Sequence, residues 1–271
     1  MSSQNKSGGS SKAIFAAIVI PATLVIAFVV FKYILGNPEN FMENNPENLP
    51  LPGNYLGTIY KGGFIVPILM ALLMIVITFT IERFITIGAS KGKGSVDSFV
   101  NKIRQLVAKG DMNGASTECD RQRGSIANVV KAGIFMYKQM ESDQKLDKER
   151  KILAIQKELE EATTLELPML SKNLVIISTI ASIATLMGLL GTVIGMIRAF
   201  AALAQAGAPD AVALSTGISE ALINTALGIG TSAIAIIMYN YFTNKIDTIT
   251  YGIDEAGYTI VQTFAAQHKV N

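Results

Sequence analysis

The strings MGLLGTVIGM (Met187 to Met196) and GISEALINTALGIGTS (Gly217 to Ser232) lie inside two apolar segments, 173–204 and 212–242. Each segment is far longer than the roughly 20 apolar residues a helix needs to cross a bilayer. The first has no charged side chain between Lys172 and Arg198, and the second none but Glu220 between Asp210 and Lys245. At 100° per residue, Gly217, Glu220, Asn224, Thr225, Gly228, Thr231 and Ser232 fall within an arc of roughly 140°. In the first segment Gly188, Gly191, Thr192 and Gly195 share one side, opposite Leu186, Leu190, Val193, Ile194 and Ile197. Each helix therefore has a small, hydroxyl-bearing face and a lipid-like face.

Two readings of the small faces compete. Small residues let membrane helices approach closely, and Gly191 with Gly195 form a GxxxG pair, so Gly188, Gly191, Gly195 and Gly228 are read as packing residues. Glu220 needs more, because an ionisable group in a membrane helix is costly and faces a bundle interior or water unless it snorkels from a helix end. With the turn centred near Ala208, Thr192 and Thr225 lie about 24 and 25 Å down their helices, level near the membrane middle. Thr192, Thr225, Glu220, Asn224 and Thr231 are thus the candidate ion pathway.

These strings carry a resemblance. GLLGTVIGMIRAF and GISEALINTALGIGTSAIAIIMYNYF look like two signature helices of the ExbB/TolQ/MotA proton-channel family, in that family's order and with its short turn between them. The resemblance covers about residues 55–245 and implies several things. The positions of Thr192 and Thr225 line a pore, and that of Glu220 is a functional intramembrane carboxylate. The subunits form a ring, typically a pentamer, around single-span ExbD-type partners that carry the proton-accepting Asp. The work passes to a TonB-type protein that opens outer-membrane importers. TolQ-like, flagellar and gliding motors are alternative clients, and a purely structural membrane scaffold is a reading from another class.

The rest of the chain is consistent with a membrane protein. Half of its 271 residues are hydrophobic and 16% are charged. A net charge of +2 argues against nucleic-acid binding. Cys119 is the single cysteine, so no disulfide forms within the chain, and one histidine (His268, expected to be solvated) cannot build the usual metal cluster. GASKGKGS is no phosphate loop, since three residues separate Gly88 from Gly92 and Gly94 stands where Ser or Thr is needed. No catalytic triad, metal cluster or nucleotide site is visible. The expectation is therefore a non-enzyme with no cofactor beyond a transported proton and with membrane lipid as its surroundings.

The expected fold is an all-α polytopic membrane bundle whose long helices extend into a cytoplasmic helical domain, forming a ring-shaped oligomer. Its parts are a flexible leader (1–12), helix one (13–35), a periplasmic loop (36–62) and helix two (63–88). A cytoplasmic helical domain (89–172) follows, then helix three (173–204), a periplasmic turn (205–211), helix four (212–242) and a cytoplasmic tail (243–271). A signal peptide competes for 13–35, but the run is long and lacks an A-x-A site before Asn37. Ile152, Ile155, Leu159 and Ala162 mark one face of a helix expected to run unbroken past Pro168 into the membrane. Ser125 stands where the family often has Pro, leaving that turn open. Lysine and arginine are concentrated before helix one, after helix two and after helix four. That bias puts both termini in the cytoplasm, and the resemblance implies a bacterial inner membrane. The small faces of helices three and four are expected to pair but not to be fully covered within one chain, with the faces of Thr192 and Thr225 lining the lumen of a closed ring.

Overall fold

The computed structural model describes residues 7–204 and 210–267, with side chains from Phe15 onward. Nine α-helices order these residues: α1 Ser7–Val30, α2 Tyr55–Tyr60, α3 Ile65–Lys91, α4 Val96–Ala108 and α5 Met112–Gln122, then α6 Gly124–Ser142, α7 Lys148–Ser171, α8 Leu174–Leu203 and α9 Ala211–Gln267. Among the described residues there is no strand, only an isolated bridge between Phe41 and Pro50. The fold is all-α, with four helices long and apolar enough to cross a membrane. His268 and most of the 205–211 turn lie outside the described residues. The described part of the 1–12 leader is already helical from Ser7, because extending a helix backward from an apolar run needs no new nucleus.

The chain forms two compact units. One comprises Met1–Thr80 with Ile176–Met238, the other Ile81–Val175 with Tyr239–Asn271. In the first, the segment after α1 is ordered by its own polar groups rather than left as an open loop. A π-helical turn, Phe31–Leu35, ends α1. Asn40 Nδ2 donates to the carbonyls of Ile34 and Leu35 at 2.9 and 3.0 Å, and Asn54 Nδ2 reaches Asn40 Oδ1 at 3.0 Å. Phe31 stacks on Tyr60 with ring centroids 4.7 Å apart, and the edge of Phe41 meets the same ring at 5.4 Å. Lys61 Nζ donates to the carbonyls of Pro46 and Glu47, and burial holds its ammonium below the usual lysine range while Glu47 pulls the other way.

The second unit is a helical core closed by the end of α9. Val96, Phe99, Val100, Ile103 and Val107 bury one stripe of α4, the spacing an amphipathic helix requires. Ser95, Asp111 and Asp147 cap α4, α5 and α7, each accepting from a backbone N–H three residues on. Of the α7 face read from sequence, Ile155 and Leu159 are buried, while Ile152 and Ala162 are half-buried. Tyr137 is buried with its ring edge on Phe264 at 4.9 Å and its hydroxyl 2.6 Å from Gln267 Oε1. The turn at Ser125 is set one step earlier, where Arg123 and Gly124 both have positive φ (60° and 82°). Gly124 suits that conformation, and a Cβ there would strike the Ser90 carbonyl. α9 runs unbroken to Gln267, so position 242 marks a change of composition, not of conformation.

The helix expected to run unbroken past Pro168 into the membrane segment is interrupted. It passes Pro168 but stops at Ser171, and α8 begins at Leu174 after Asn173 takes a left-handed conformation, φ 65°. Asparagine tolerates that region better than other side chains. Buried charge holds the break. Arg83 is fully buried and donates from Nη1 to the Leu170 carbonyl at 3.0 Å, capping the end of α7. Its Nε and Nη2 grip both oxygens of Glu82 at 2.6 and 2.5 Å, and Glu82 also accepts from Thr86 at 2.8 Å. Breaking such a pair on one side strands the other charge, at a cost of about 3–5 kcal/mol. Arg83→Met is therefore expected to lower the unfolding midpoint sharply, read as loss of monodisperse protein on heating in detergent. Arg121→Met is the comparison, since that arginine is largely exposed and should change little.

Candidate functional site

The site is built where α8 and α9 touch backbone to backbone. A Cβ placed on Gly195 would lie 2.6 Å from both Ala221 N and the Gly217 carbonyl, and one on Gly228 would lie 2.6 Å from the Ala184 carbonyl. Gly188 faces Gly228 Cα in the same way, and Gly217 faces Ala199. Gly188 with Gly228 and Ala199 with Gly217 are placed symmetrically about position 208, the centre assigned to the turn from sequence. No side chain but hydrogen fits at these crossings. The glycine faces are packed within one chain, while Thr192 and Thr225 stay half-buried beside them. The physical reason is reach: with no side chains between them, the helices meet before any space can form.

The polar residues take distinct places on this seam. The Thr192 and Thr225 hydroxyls are hydrogen-bonded to each other and remain half-buried at the rim, so they stay partly accessible. Both also lean on the Ala221 carbonyl, Thr225 at 3.1 Å and Thr192 at 3.4 Å. Thr231 is buried further along, and its neighbour Ser232 donates to the Ala181 carbonyl at 2.5 Å. Asn224 is fully buried against Gly191, and its Nδ2 donates to the Gly62 carbonyl at 2.8 Å. Thr192, Glu220, Asn224 and Thr225 therefore each meet α8 or a residue on it, and Thr231 is buried further along α9.

Glu220 has a partner the sequence reading missed. Arg198 Nη1 sits 2.8 Å from both carboxylate oxygens. The Glu220 side chain is 3% exposed while that of Arg198 is 57% exposed, so the acid is enclosed and the base stands at its edge. The signal for this pair was available. Arg198 precedes the turn centre by about as many residues as Glu220 follows it, which puts the two at one depth. Arg198 was read only as the end of an uncharged run. Gly62 and Gly63 were missed too, and no periodicity marks them. The lipid-like faces are as read: Leu186, Val193, Ile197, Leu222 and Ile237 are all exposed in the single chain. Among the described residues no group of His, Cys, Asp and Glu is arranged to hold a metal ion.

Residues 128–255 match the model of the MotA/TolQ/ExbB proton channel family. The chain is similar to the biopolymer transport protein ExbB of Helicobacter pylori, 40% identical over 81 residues, covering 30% of this chain and 56% of that protein. An ExbB-like protein 3 of Synechocystis sp. is 37% identical over 86 residues, covering 31% and 41%. The Tol-Pal system protein TolQ of Haemophilus influenzae is 36% identical over 94 residues, covering 33% and 41%. The matched stretch thus spans about half the length of these relatives or less.

The seam makes a sharp prediction. Gly195→Val places branched carbons against backbone atoms that cannot move aside, and overpacking of this kind costs about 1–3 kcal/mol or more. Loss of folded protein on size exclusion in detergent is the expected outcome. Gly230 has nothing within 4 Å of an added Cβ. Gly230→Ala should therefore be neutral or stabilise by up to about 1 kcal/mol through helix propensity.

Proposed function

We propose that the chain, whose residues 128–255 match the MotA/TolQ/ExbB proton channel family, is a multi-pass inner-membrane subunit of a proton-driven motor. In this reading it assembles as a homo-oligomeric ring, most simply a pentamer, around an ExbD-type single-span partner. The proton motive force then energises TonB-dependent import across the outer membrane. One observation carries the proposal: two half-buried threonine hydroxyls at mid-helix depth, beside an enclosed carboxylate whose counter-ion lies on the facing helix. A hydroxyl both donates and accepts, so the Thr192–Thr225 pair can pass a hydrogen bond to water or to a partner's acid without carrying charge itself. Glu220, held by Arg198, sets the local field and orders the approach. Thr231 extends the polar line, and Gly188, Gly191, Gly195 and Gly228 fix its geometry. A TolQ-type client is the second reading, favoured by a TolQ relative of nearly the same identity as the ExbB ones. Co-purification with the product of an adjacent gene separates the two.

The segment limits 1–12, 13–35, 36–62, 63–88, 89–172, 173–204, 205–211, 212–242 and 243–271 belong to the same proposal, with both termini cytoplasmic. Cys119 makes that orientation easy to test. Burial, helped by Asp120, pushes its thiol up to about 12, so the native protein has no reactive thiolate near neutral pH. Cysteines introduced at Lys93 and Asn45 should then report alone. In intact spheroplasts an impermeant maleimide is expected to label the one at Asn45 and spare the one at Lys93. The opposite pattern overturns the orientation.

The coupling role is tested by variants of matched expression in an import-dependent growth assay. Thr225→Val keeps the shape and removes the hydroxyl, so assembly should survive and import should fail. Glu220→Gln should be milder than Glu220→Ala, because it still accepts from Arg198. Arg198→Gln should resemble Glu220→Gln, and the double variant should be no worse than either alone, the mark of a coupled pair. Full and equal loss in Glu220→Gln and Glu220→Ala would instead make Glu220 a proton carrier.

A further inference from the structure

Asn224 spans 162 residues of sequence to hold one backbone carbonyl, that of Gly62. A carbonyl only accepts, so the amide nitrogen must face it. That orientation leaves Asn224 Oδ1 buried with no hydrogen-bond partner. An orphan acceptor of this kind opposes folding, so the contact is not kept for stability alone. The turn that Asn224 holds is shaped around Glu220. Gly63 has φ +75°, and a Cβ there would run into Glu220 Oε1; one on Gly62 would meet Val66 and Ile223. Two glycines in succession therefore let the backbone sit directly on the carboxylate. Arg198 Nη1 covers both carboxylate oxygens while the rest of that side chain is more than half exposed, and the Gly63 turn lies against Oε1 as well, so the turn contributes to the enclosure.

We propose that the Gly62–Gly63 turn is a plug seated on Glu220 and that Asn224 is the positioning residue that latches it. Latched, the carboxylate is kept from water and held on Arg198. Unlatched, the turn lifts, water reaches Glu220 from the side of the 36–62 loop, and the freed Oδ1 and Nδ2 are both hydrated. The inference deepens the channel reading and rests on it for its purpose, but the plug is measurable by itself.

The test uses the full chain in lipid nanodiscs, a water-soluble carbodiimide and glycine ethyl ester, with peptide mass spectrometry of Glu220 and of the exposed Asp210. In the unsubstituted protein Glu220 is expected to react about tenfold more slowly than Asp210, or slower still. Asn224→Ala should raise Glu220 labelling about tenfold, the effect of losing one net hydrogen bond on a local opening. Asp210 labelling should stay unchanged. Gly63→Ala should do the same by an independent route, while Ser232→Ala, which removes a seam hydrogen bond away from the turn, should not. Equal labelling of Glu220 and Asp210 in the unsubstituted protein overturns the plug without requiring any variant to fold. So does protection that persists in both Asn224→Ala and Gly63→Ala. Proton flux is measured in parallel in vesicles containing the chain with its partner. Protection that is lost in the variants upholds the plug whether or not flux is seen, and absent flux then counts against the channel reading alone.

Discussion

Backbone contact between α8 and α9 is the constraint from which the site follows. Inside a bilayer the tails of lipids are as apolar as leucine, so helices gain little by burying apolar side chains on one another. What holds them is close packing, and glycine brings more atoms within dispersion range than any side chain could. The contacts of Gly195 with Ala221 and of Gly228 with Gly188 fix the register to a single alignment. That alignment sets Thr192 against Thr225, seats Asn224 on Gly191 and brings Arg198 to Glu220. Sliding one helix by a turn would separate the Thr192–Thr225 contact and the Arg198–Glu220 ion pair.

Much of this was legible in sequence because it is periodic. Glycines and threonines recurring at the helical period mark a face, and two such faces separated by a short turn have to meet. The centre of that meeting followed from counting alone. What could not be read has no period. The bond from Asn224 to Gly62 joins residues far apart in the chain, and nothing near Gly62 distinguishes it from other turn glycines. The end of α7 misled for another reason. Apolar periodicity and the tolerated Pro168 argue for continuity, but a single left-handed asparagine, Asn173, ends the helix, and its stabilising arginine lies 90 residues earlier at Arg83. Local pattern cannot reveal a cap that arrives from elsewhere.

Two of the buried charges, Arg83 and Glu220, are accommodated with different outcomes. Arg83 and Glu82 are adjacent in sequence, and the arginine is fully enclosed, its remaining donor satisfied by the Leu170 carbonyl. Every member of that cluster gains if nothing moves, which suits a fixed helix junction. Glu220 and Arg198 divide the burden unevenly: the acid is covered and the base is mostly open. A pair with one exposed member is easier to separate, since the departing arginine is already partly hydrated. The glycine turn over Glu220 and the orphan oxygen of Asn224 add to that imbalance.

The same accounting explains why the middle of the seam is neutral. A carboxylate in place of Thr192 or Thr225 would need a counter-ion of its own, and the faces there are glycine on glycine with no room for one. Hydroxyls avoid the problem, for they are polar without being charged and satisfy themselves on helix carbonyls when nothing else is present. The ionised pair of the seam, Arg198 and Glu220, thus lies nearer the turn, and Thr192 and Thr225 offer only neutral donors and acceptors. On the proposed function, a proton that passes Thr192 and Thr225 cannot rest on those two hydroxyls. It must be received by an acid that another chain supplies, and the half-exposed rim of Thr192 and Thr225 is where such an acid would find a hydrogen-bond partner without having to displace a packed side chain.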